Sequence, residues 1–293
     1  MDKDKAEKKL ANPLNSRELT QLLEYMENDL PRSLYMMTAI QNSQNKSSKF
    51  PNLIYTDSWP SFSVVISKPD KMKNEAGYHY LLMLYVVPDK KEKVLDFLQN
   101  SAIIDWSESM VLVCPSPLCH VLAEVAKVNG VNLVLNAEED CHIFYTSNEE
   151  SLLKTAIPDS LTEGVLSAEH SHQVNSEWKF GGTERKRTYI QSLIENLPTV
   201  ALFTTQGQCI AYMITNEHGG MGMLYVTPEH RGKGCAKYVI TTLAKKHLQV
   251  GHNPFLYIET DNEASLLLHL KCGFQMIENL RVRFVPHRFH QDI

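Results

Sequence analysis

The residue types and spacing best suited to chemistry in this chain lie between Leu224 and Ala236, in the stretch LYVTPEHRGKGCA. Leu224-Tyr225-Val226 reads as an apolar strand ending before Pro228. Arg231-Gly232-Lys233-Gly234-Cys235-Ala236 then opens a segment, Lys237 to Leu248, whose apolar residues recur at helical spacing. A strand that delivers a glycine-bearing turn into a helix N-terminus presents a nest of backbone N–H groups, backed by the positive end of the helix dipole. Glycine lets the main chain approach an anion that a Cβ would hold off. A pyrophosphate fits such a nest, with Arg231 and Lys233 adding charge beside it. An ordinary basic loop before a helix accounts for the same residues, and both readings stand at this point. No GxxxxGKS/T and no GxGxxG occurs, which argues against kinases, NTPases and dinucleotide enzymes.

The residues that follow favour the first reading. Tyr257 to Thr260 reads as a strand, and Asn262 starts a helix running to Cys272-Gly273-Phe274, with Asn262 as N-cap and Gly273 as C-cap. The R-x-x-G-x-A turn resembles the motif of the GCN5-related N-acetyltransferase superfamily that holds the pyrophosphate of coenzyme A. The run from Asn262 through Ser265 and Leu268 to Gly273-Phe274 resembles that superfamily's next motif. A third stretch, Val174-Asn175-Ser176-Glu177-Trp178-Lys179-Phe180-Gly181-Gly182-Thr183-Glu184-Arg185, resembles the V-N-x-x-W-x-F-G-G-x-E-R signature of the glycine N-acyltransferase family. Leu30-Pro31-x-Ser33-Leu34 and Asp57-Ser58-Trp59-Pro60-Ser61-Phe62 resemble further segments of that family, so the likeness spans nearly the whole chain.

The resemblance implies an acyl-CoA:amino-acid N-acyltransferase with acyl-CoA as cosubstrate, glycine as the amine acceptor and no permanently bound cofactor. It implies that backbone groups at Leu224, Tyr225 and Val226 hold the pantetheine. The pyrophosphate would rest on Arg231, Gly232, Lys233, Gly234, Cys235 and Ala236, with Asn262 also at the cofactor. In the family a Glu at the start of the strand leading to the turn is the general base. Here that position is Gly220, which can be neither acid nor base. His218, two residues earlier on an extended strand, points to the same side and has an ordinary pKa suited to a base near neutrality. Glu217 is adjacent but points the other way, and a solvated turn accounts for both. His269 takes the place where many acetyltransferases put a Tyr that protonates the leaving thiolate, although a helix-surface histidine reads the same. Arg281, Arg283, His287, Arg288 and His290 form a basic tail that either attracts an anionic group of the substrates or is a solvated face.

The elements that must position these groups follow from periodicity and punctuation. Helices are expected at Ser16 to Asp29, Lys90 to Leu98 and Pro115 to Val128, with strands at Ser63 to Ser67, His79 to Val87, Val131 to Leu135 and Cys141 to Tyr145. Beyond a polar stretch near Ser147 to Ser160, helices are expected near Ala168 to Trp178 and at Thr183 to Asn196. Strands follow at Thr199 to Thr204, Gln208 to Thr215 and Met221 to Thr227. After the turn come its helix, strand Phe255 to Glu259, helix Asn262 to Cys272, and strands near Phe274 to Ile277 and Arg281 to Val285. The result is an α/β fold, a mixed sheet with helices on both faces. Residues 1–150 and 151–293 make two domains, the first lacking any glycine-rich phosphate turn. The resemblance implies a tandem: a degenerate N-terminal copy of the acetyltransferase fold, then a copy that binds acyl-CoA.

Composition excludes several classes. Residues after 150 carry 14 Lys+Arg against 13 Asp+Glu and the first 150 carry 15 against 21, so neither half has the basic stripe that nucleic acid demands. No apolar run approaches the roughly 20 residues needed to cross a bilayer. Six cysteines without CxxC spacing read as reduced, packed thiols in an intracellular compartment, and no metal site is expected. The charged start, Asp2 to Lys9, has neither a secretory nor a presequence pattern. Family resemblance nevertheless points to the mitochondrion, with the cytoplasm as the alternative. Two rivals to the glycine reading stay open: transfer to another amine (a different amino acid or a protein lysine) and an acyl-CoA-binding protein without catalysis.

Overall fold

Runs such as Val64-Val65-Ile66 and Leu81 to Val86 are apolar at every position, and strands of this kind belong inside a sheet covered on both faces. The computed structural model describes residues 12–73, 81–90, 92–136 and 140–287. The first half contributes α1 (Ser16–Glu27), α2 (Leu34–Gln44), β1 (Asn52–Thr56), β2 (Val64–Pro69), β3 (Leu81–Val86), α3 (Glu92–Asn100), β4 (Met110–Pro115), α4 (Cys119–Val128) and β5 (Asp140–Tyr145). The second contributes β6 (Leu161–Gly164), α5 (Ser171–Glu177), α6 (Glu184–Asn196), β7 (Thr199–Thr204), β8 (Cys209–Thr215), β9 (Met221–Val226), α7 (Cys235–Gln249), β10 (Phe255–Glu259), α8 (Glu263–Lys271) and β11 (Gln275–His287). All the strands join one 11-stranded mixed sheet, in the order β1-β2-β3-β4-β11-β5-β10-β9-β8-β7-β6. Side chains of α1, α2, α5 and α6 cover one face and those of α3, α4, α7 and α8 the other.

The two halves of the chain are interleaved within that sheet. β5, from the first half, lies between β10 and β11 and pairs antiparallel with both. β11, the last strand of the second half, lies between β4 and β5. The connection near residues 147–160 therefore divides the sequence into 1–150 and 151–293 while strands of both parts share one sheet.

A repeat confirms the tandem. Met83-Leu84-Tyr85-Val86-Val87-Pro88-Asp89 at the end of β3 parallels Met223-Leu224-Tyr225-Val226-Thr227-Pro228-Glu229 at the end of β9. In the second half residues 230–234, with two glycines, separate this segment from α7. In the first half only residues 90–91 separate it from α3. The neighbouring strands differ in step with the turn. β3 stays zipped to β4 through Leu81↔Val111, Leu82↔Leu112 and Met83↔Val113, and every residue of β3 is buried. β9 meets β10 at Met221↔Leu256 alone, and the rest of β9 is half-buried. Among the described residues, the first half has neither the glycine turn nor the gap that the second half places beside β9.

Several elements differ from the periodicity: it predicts none of β1, β4 and β6, and the helix expected from Pro115 begins as the end of β4 and a 3-10 turn before α4. Residues 131–135 form no strand: Val131 is buried beside α4, but the stretch makes no ladder. The two strands expected after Phe274 are one, β11, with a register shift between Met276 and Arg281 and a left-handed Asn279 at φ 58. Helix α2 escapes periodicity because it buries Leu34, Tyr35, Met36, Met37, Ala39 and Ile40, apolar residues all round it, between α1 and the sheet. Residues 2–9, residues 79–80 of the expected second strand, Arg288 and His290 lie outside the described residues.

Candidate functional site

The gap between β9 and β10 begins at the Met221↔Leu256 pair and opens toward the carboxyl ends of both strands. A bulge helps to open it. The register of β8 against β9 shifts between Tyr212 and Ile214, and Met223 takes a left-handed φ of 50. Leu224, Tyr225 and Val226 follow along the gap, half-buried and unpaired with β10. The chain then passes a single 3-10 turn, Pro228–His230, and enters the glycine turn. Gly232 and Gly234 have φ of 75 and 87, and a Cβ built on either would meet nothing within 4 Å. The turn therefore leaves its main chain open to a ligand, as a phosphate-binding turn requires.

The neighbours of the turn divide the work. Cys235 opens α7, but its side chain is buried in the core and burial pushes the thiol pKa up, so only its N–H faces the turn. Ala236 is half-buried behind it. Arg231 folds back, its Nε donating to the Val226 carbonyl at 3.1 Å, while Lys233 is exposed. Asn262 Oδ1 accepts from Ser265 N at 3.1 Å, so its side chain caps α8. α7 follows β9 and α8 follows β10 on one face of the sheet, so their positive ends flank the open end of the gap.

At the closed end of the gap stands the turn 216–220, packed under α2. Gly219, at φ 81, touches that helix so closely that a Cβ would stand 2.1 Å from Thr38 Cγ2. Asn42 Nδ2 donates to the Glu217 carbonyl at 3.0 Å. The first half, through α2, thus walls this end of the gap. His218 is buried, with Phe255 and Tyr257 against its ring. Its Nδ1 accepts from Gly220 N at 3.1 Å, and the ring fills the space a side chain at 220 would need: a Cβ there would lie 2.6 Å from His218 Cε1. Burial lowers the imidazole pKa from 6.5 to about 4. This geometry runs against a base that ionises near neutrality. Glu217 does not point idly into solvent: Tyr189 on α6 donates to its Oε2, and burial raises its carboxyl pKa.

The buried histidines have a measurable consequence. His247, hydrogen-bonded to Thr215 Oγ1, is likewise lowered to about 4, chiefly by burial. Because the folded pKa lies below the unfolded one, the unfolded chain binds more protons between pH 4 and 6.5. Stability is full above that window and falls as pH drops through it, by up to about 3 kcal/mol per histidine. Urea denaturation from pH 7.5 to 4.5 should show this fall, and the double variant His218→Gln/His247→Gln should flatten it. An equal slope in that variant would contradict the burial argument.

His269 does not meet His218. It sits on α8, on the opposite face of the sheet, against Phe274. Its Nδ1 donates to the Ser265 carbonyl at 2.8 Å, its buried Nε2 has no partner, and burial lowers its pKa. In the neutral ring this bond places the proton on Nδ1 rather than Nε2. In the basic tail, Arg283 pairs with Asp140 at 2.6 Å and His287 Nε2 donates to the Trp106 carbonyl at 3.0 Å. Both side chains are thus engaged within the fold.

The loop between α5 and α6 closes the site from the face opposite the glycine turn, and its sequence explains why. Asn175 reaches over the loop, taking Gly182 N on Oδ1 at 3.1 Å and giving Nδ2 to the Thr183 carbonyl at 3.2 Å. Gly181 passes so near that a Cβ would lie 1.8 Å from the Asn175 carbonyl oxygen. Thr183 then caps α6. Glu177 accepts from Tyr212 at 2.9 Å, and Tyr212 stacks on Tyr225 of β9 at 5.7 Å. Lys179 forms an ion pair with Glu259 at the end of β10. The Asn and Gly-Gly spacing marks this loop in the sequence, but its place over the gap is not readable there.

Known proteins resemble this chain in sequence and fold. Residues 13–198 match the family described as aralkyl acyl-CoA:amino acid N-acyltransferase, and residues 200–282 match the FR47-like protein family. Human glycine N-acyltransferase-like protein 2 is 26% identical, over 94% of this chain and 95% of its own length. The X-ray structure of a Drosophila protein superposes with a TM-score of 0.77 at 17% identity, over 95% of this chain and 98% of that one. A tandem GNAT protein from the clavulanic acid biosynthesis pathway superposes with a TM-score of 0.51 at 11% identity, over 94% and 97% of the two chains. The fold is that of the GCN5-related N-acetyltransferases, in tandem.

Proposed function

The chain belongs to the aralkyl acyl-CoA:amino acid N-acyltransferase family, and we propose that it transfers an acyl group from acyl-CoA to the amine of glycine. The observation that carries this reading is the gap between β9 and β10, which opens onto the glycine turn of α7. The pyrophosphate lies on the turn and the pantetheine runs into the gap along Leu224, Tyr225 and Val226. Main-chain N–H groups freed by the bulge at Met223 polarise the thioester carbonyl. The amine attacks that carbon, the C–S bond breaks, and CoA leaves as the thiol once the thiolate gains a proton. A thioester is already activated, so holding the two reactants in place supplies much of the acceleration. Glycine as the acceptor is supported by the name of the human relative.

The amine's proton is assigned to Glu217, whose carboxylate is held by the Tyr189 hydroxyl in the turn that Asn42 fixes at the end of the gap, and whose proton affinity burial raises. Activity then requires the ionised form and is lost as pH falls through that raised pKa. A second reading, a protein that binds acyl-CoA without catalysis, is favoured by one observation: the His218 ring fills the space of the family's base at position 220. The test is benzoyl-CoA with a panel of amino acids, read as free thiol. Glycine-dependent thiol release is expected, with Glu217→Gln lowering kcat/KM on the order of 10²-fold and removing the acid limb. Gly220→Glu should gain activity only beside His218→Gly, which clears its space. CoA binding without thiol release for any acceptor would favour the second reading.

A further inference from the structure

We propose that Lys179 and Glu259 form the binding site for a free α-amino acid, Lys179 taking its carboxylate and Glu259 its ammonium. The inference rests on the transferase reading above and names the acceptor subsite. Two residues of one short segment reach both lips of the gap. Glu177 is tied to β8 through Tyr212, which stacks on Tyr225 of β9, and Lys179 is tied to the end of β10. The loop therefore lies across the opening. From the Met221↔Leu256 pair, three residues along each parallel strand bring Leu224 and Glu259 level. The ion pair thus stands level with Leu224, one residue beyond the bulge at Met223.

The two faces of the sheet separate the substrates. Phe255 and Tyr257 turn toward the face covered by α1 and α2, while Leu256 and Ile258 turn toward α7. Alternation puts Glu259 on the first of these faces, with Lys179 above it. The glycine turn belongs to the α7 face. The acyl donor and the acceptor would then arrive from opposite faces and meet in the gap.

The pair is also built to exchange. Lys179 is 57% exposed and Glu259 34%, so their attraction is weakened by solvent and opening it costs little. The Lys179 ammonium lies 4.7 Å from the Phe180 ring, which keeps it over the loop when its partner moves. An α-amino acid carries a carboxylate and an ammonium on one carbon. Inserted between Lys179 and Glu259, it replaces one ion pair with two charge-assisted contacts. A simple amine or a protein lysine has no carboxylate for Lys179, so the site selects free amino acids.

The test follows glycine, glycinamide and methylamine binding to the CoA-saturated full chain by saturation-transfer NMR, beside thiol release from benzoyl-CoA. Wild type should hold glycine at least tenfold more tightly than glycinamide. Lys179→Met should erase that preference while CoA affinity stays the same, and Glu259→Gln should weaken all three amines. The reversed pair, Lys179→Glu/Glu259→Lys, should bind glycine again in the opposite orientation and release no thiol. An unchanged glycine-to-glycinamide ratio in Lys179→Met, or no glycine binding by the reversed pair, would overturn the proposal. Lys179-dependent glycine binding without thiol release in wild type would overturn the transferase reading and leave this site standing. Thiol release with a Lys179-independent ratio would do the reverse.

Discussion

Gly234→Val should lower CoA affinity by roughly 100-fold or more, because losing two charge-assisted hydrogen bonds from the turn costs about 1.5–3 kcal/mol each. No protein atom lies within 4 Å of where the new Cβ would stand, so the added methyls would fill the space of the ligand. The substitution also places a β-branched residue at φ 87, which costs about 1–2 kcal/mol of stability. A control separates strain from lost binding. Gly251, beyond the other end of α7, has φ 78 and equally open surroundings. Gly251→Val should lose comparable stability and keep CoA affinity. Calorimetric titration with CoA decides the matter, and unchanged affinity in Gly234→Val would remove the pyrophosphate from this turn.

Residues 151–293 produced alone should show no cooperative unfolding transition. β5 pairs with β10 from Tyr145↔Phe255 to Cys141↔Glu259 and with β11 through residues 140–145, so its loss leaves two interior strands without a partner. β11 loses β4 as well. Each backbone group left buried and unpaired costs about 1–3 kcal/mol. A handful of them exceeds the 5–15 kcal/mol by which domains are typically stable. Ile143 and Phe144, buried on opposite faces of the sheet, disappear from two core clusters together. Mixing the fragment with residues 1–150 should restore a single melting transition and CoA binding, read by circular dichroism and calorimetry. A C-terminal fragment that melts cooperatively and binds CoA with full affinity would show that the interleaved strands are dispensable.

Much of the second half was legible because its signals are local. Asn262 and Thr183 stand where helices must start, and both cap them. Gly232 and Gly234 precede α7 at the spacing that a left-handed turn requires. β7, β8, β9 and β10 lie within a residue of where apolar runs and turns put them. The Trp178 to Gly182 run identified the family before its geometry was known. In the first half the same kind of evidence was weaker: α2 is apolar all round, β1 is short, and the repeat of MLYV-x-P shows its meaning only once β3 and β9 are compared in place.

The sequence by itself determined the glycine turn before α7, most of the strands and helices of the second half, and the family, since caps, glycine conformations and periodicity act between near neighbours in the chain. Only the tertiary structure decided that β5 and β11 exchange places between the halves, because pairing partners far apart in sequence are chosen by the burial of whole faces. It decided that β3 and β4 close where β9 and β10 part. It also decided the electrostatics: His218 has an ordinary imidazole's chemistry on paper, and packing against Phe255, Tyr257 and Gly220 N removes it from the neutral range. Lys179 and Glu259 are unremarkable charges eighty residues apart until the fold sets them across one gap. Proton affinity and ion pairing depend on solvent and partners, and both are properties of the folded neighbourhood rather than of the chain order.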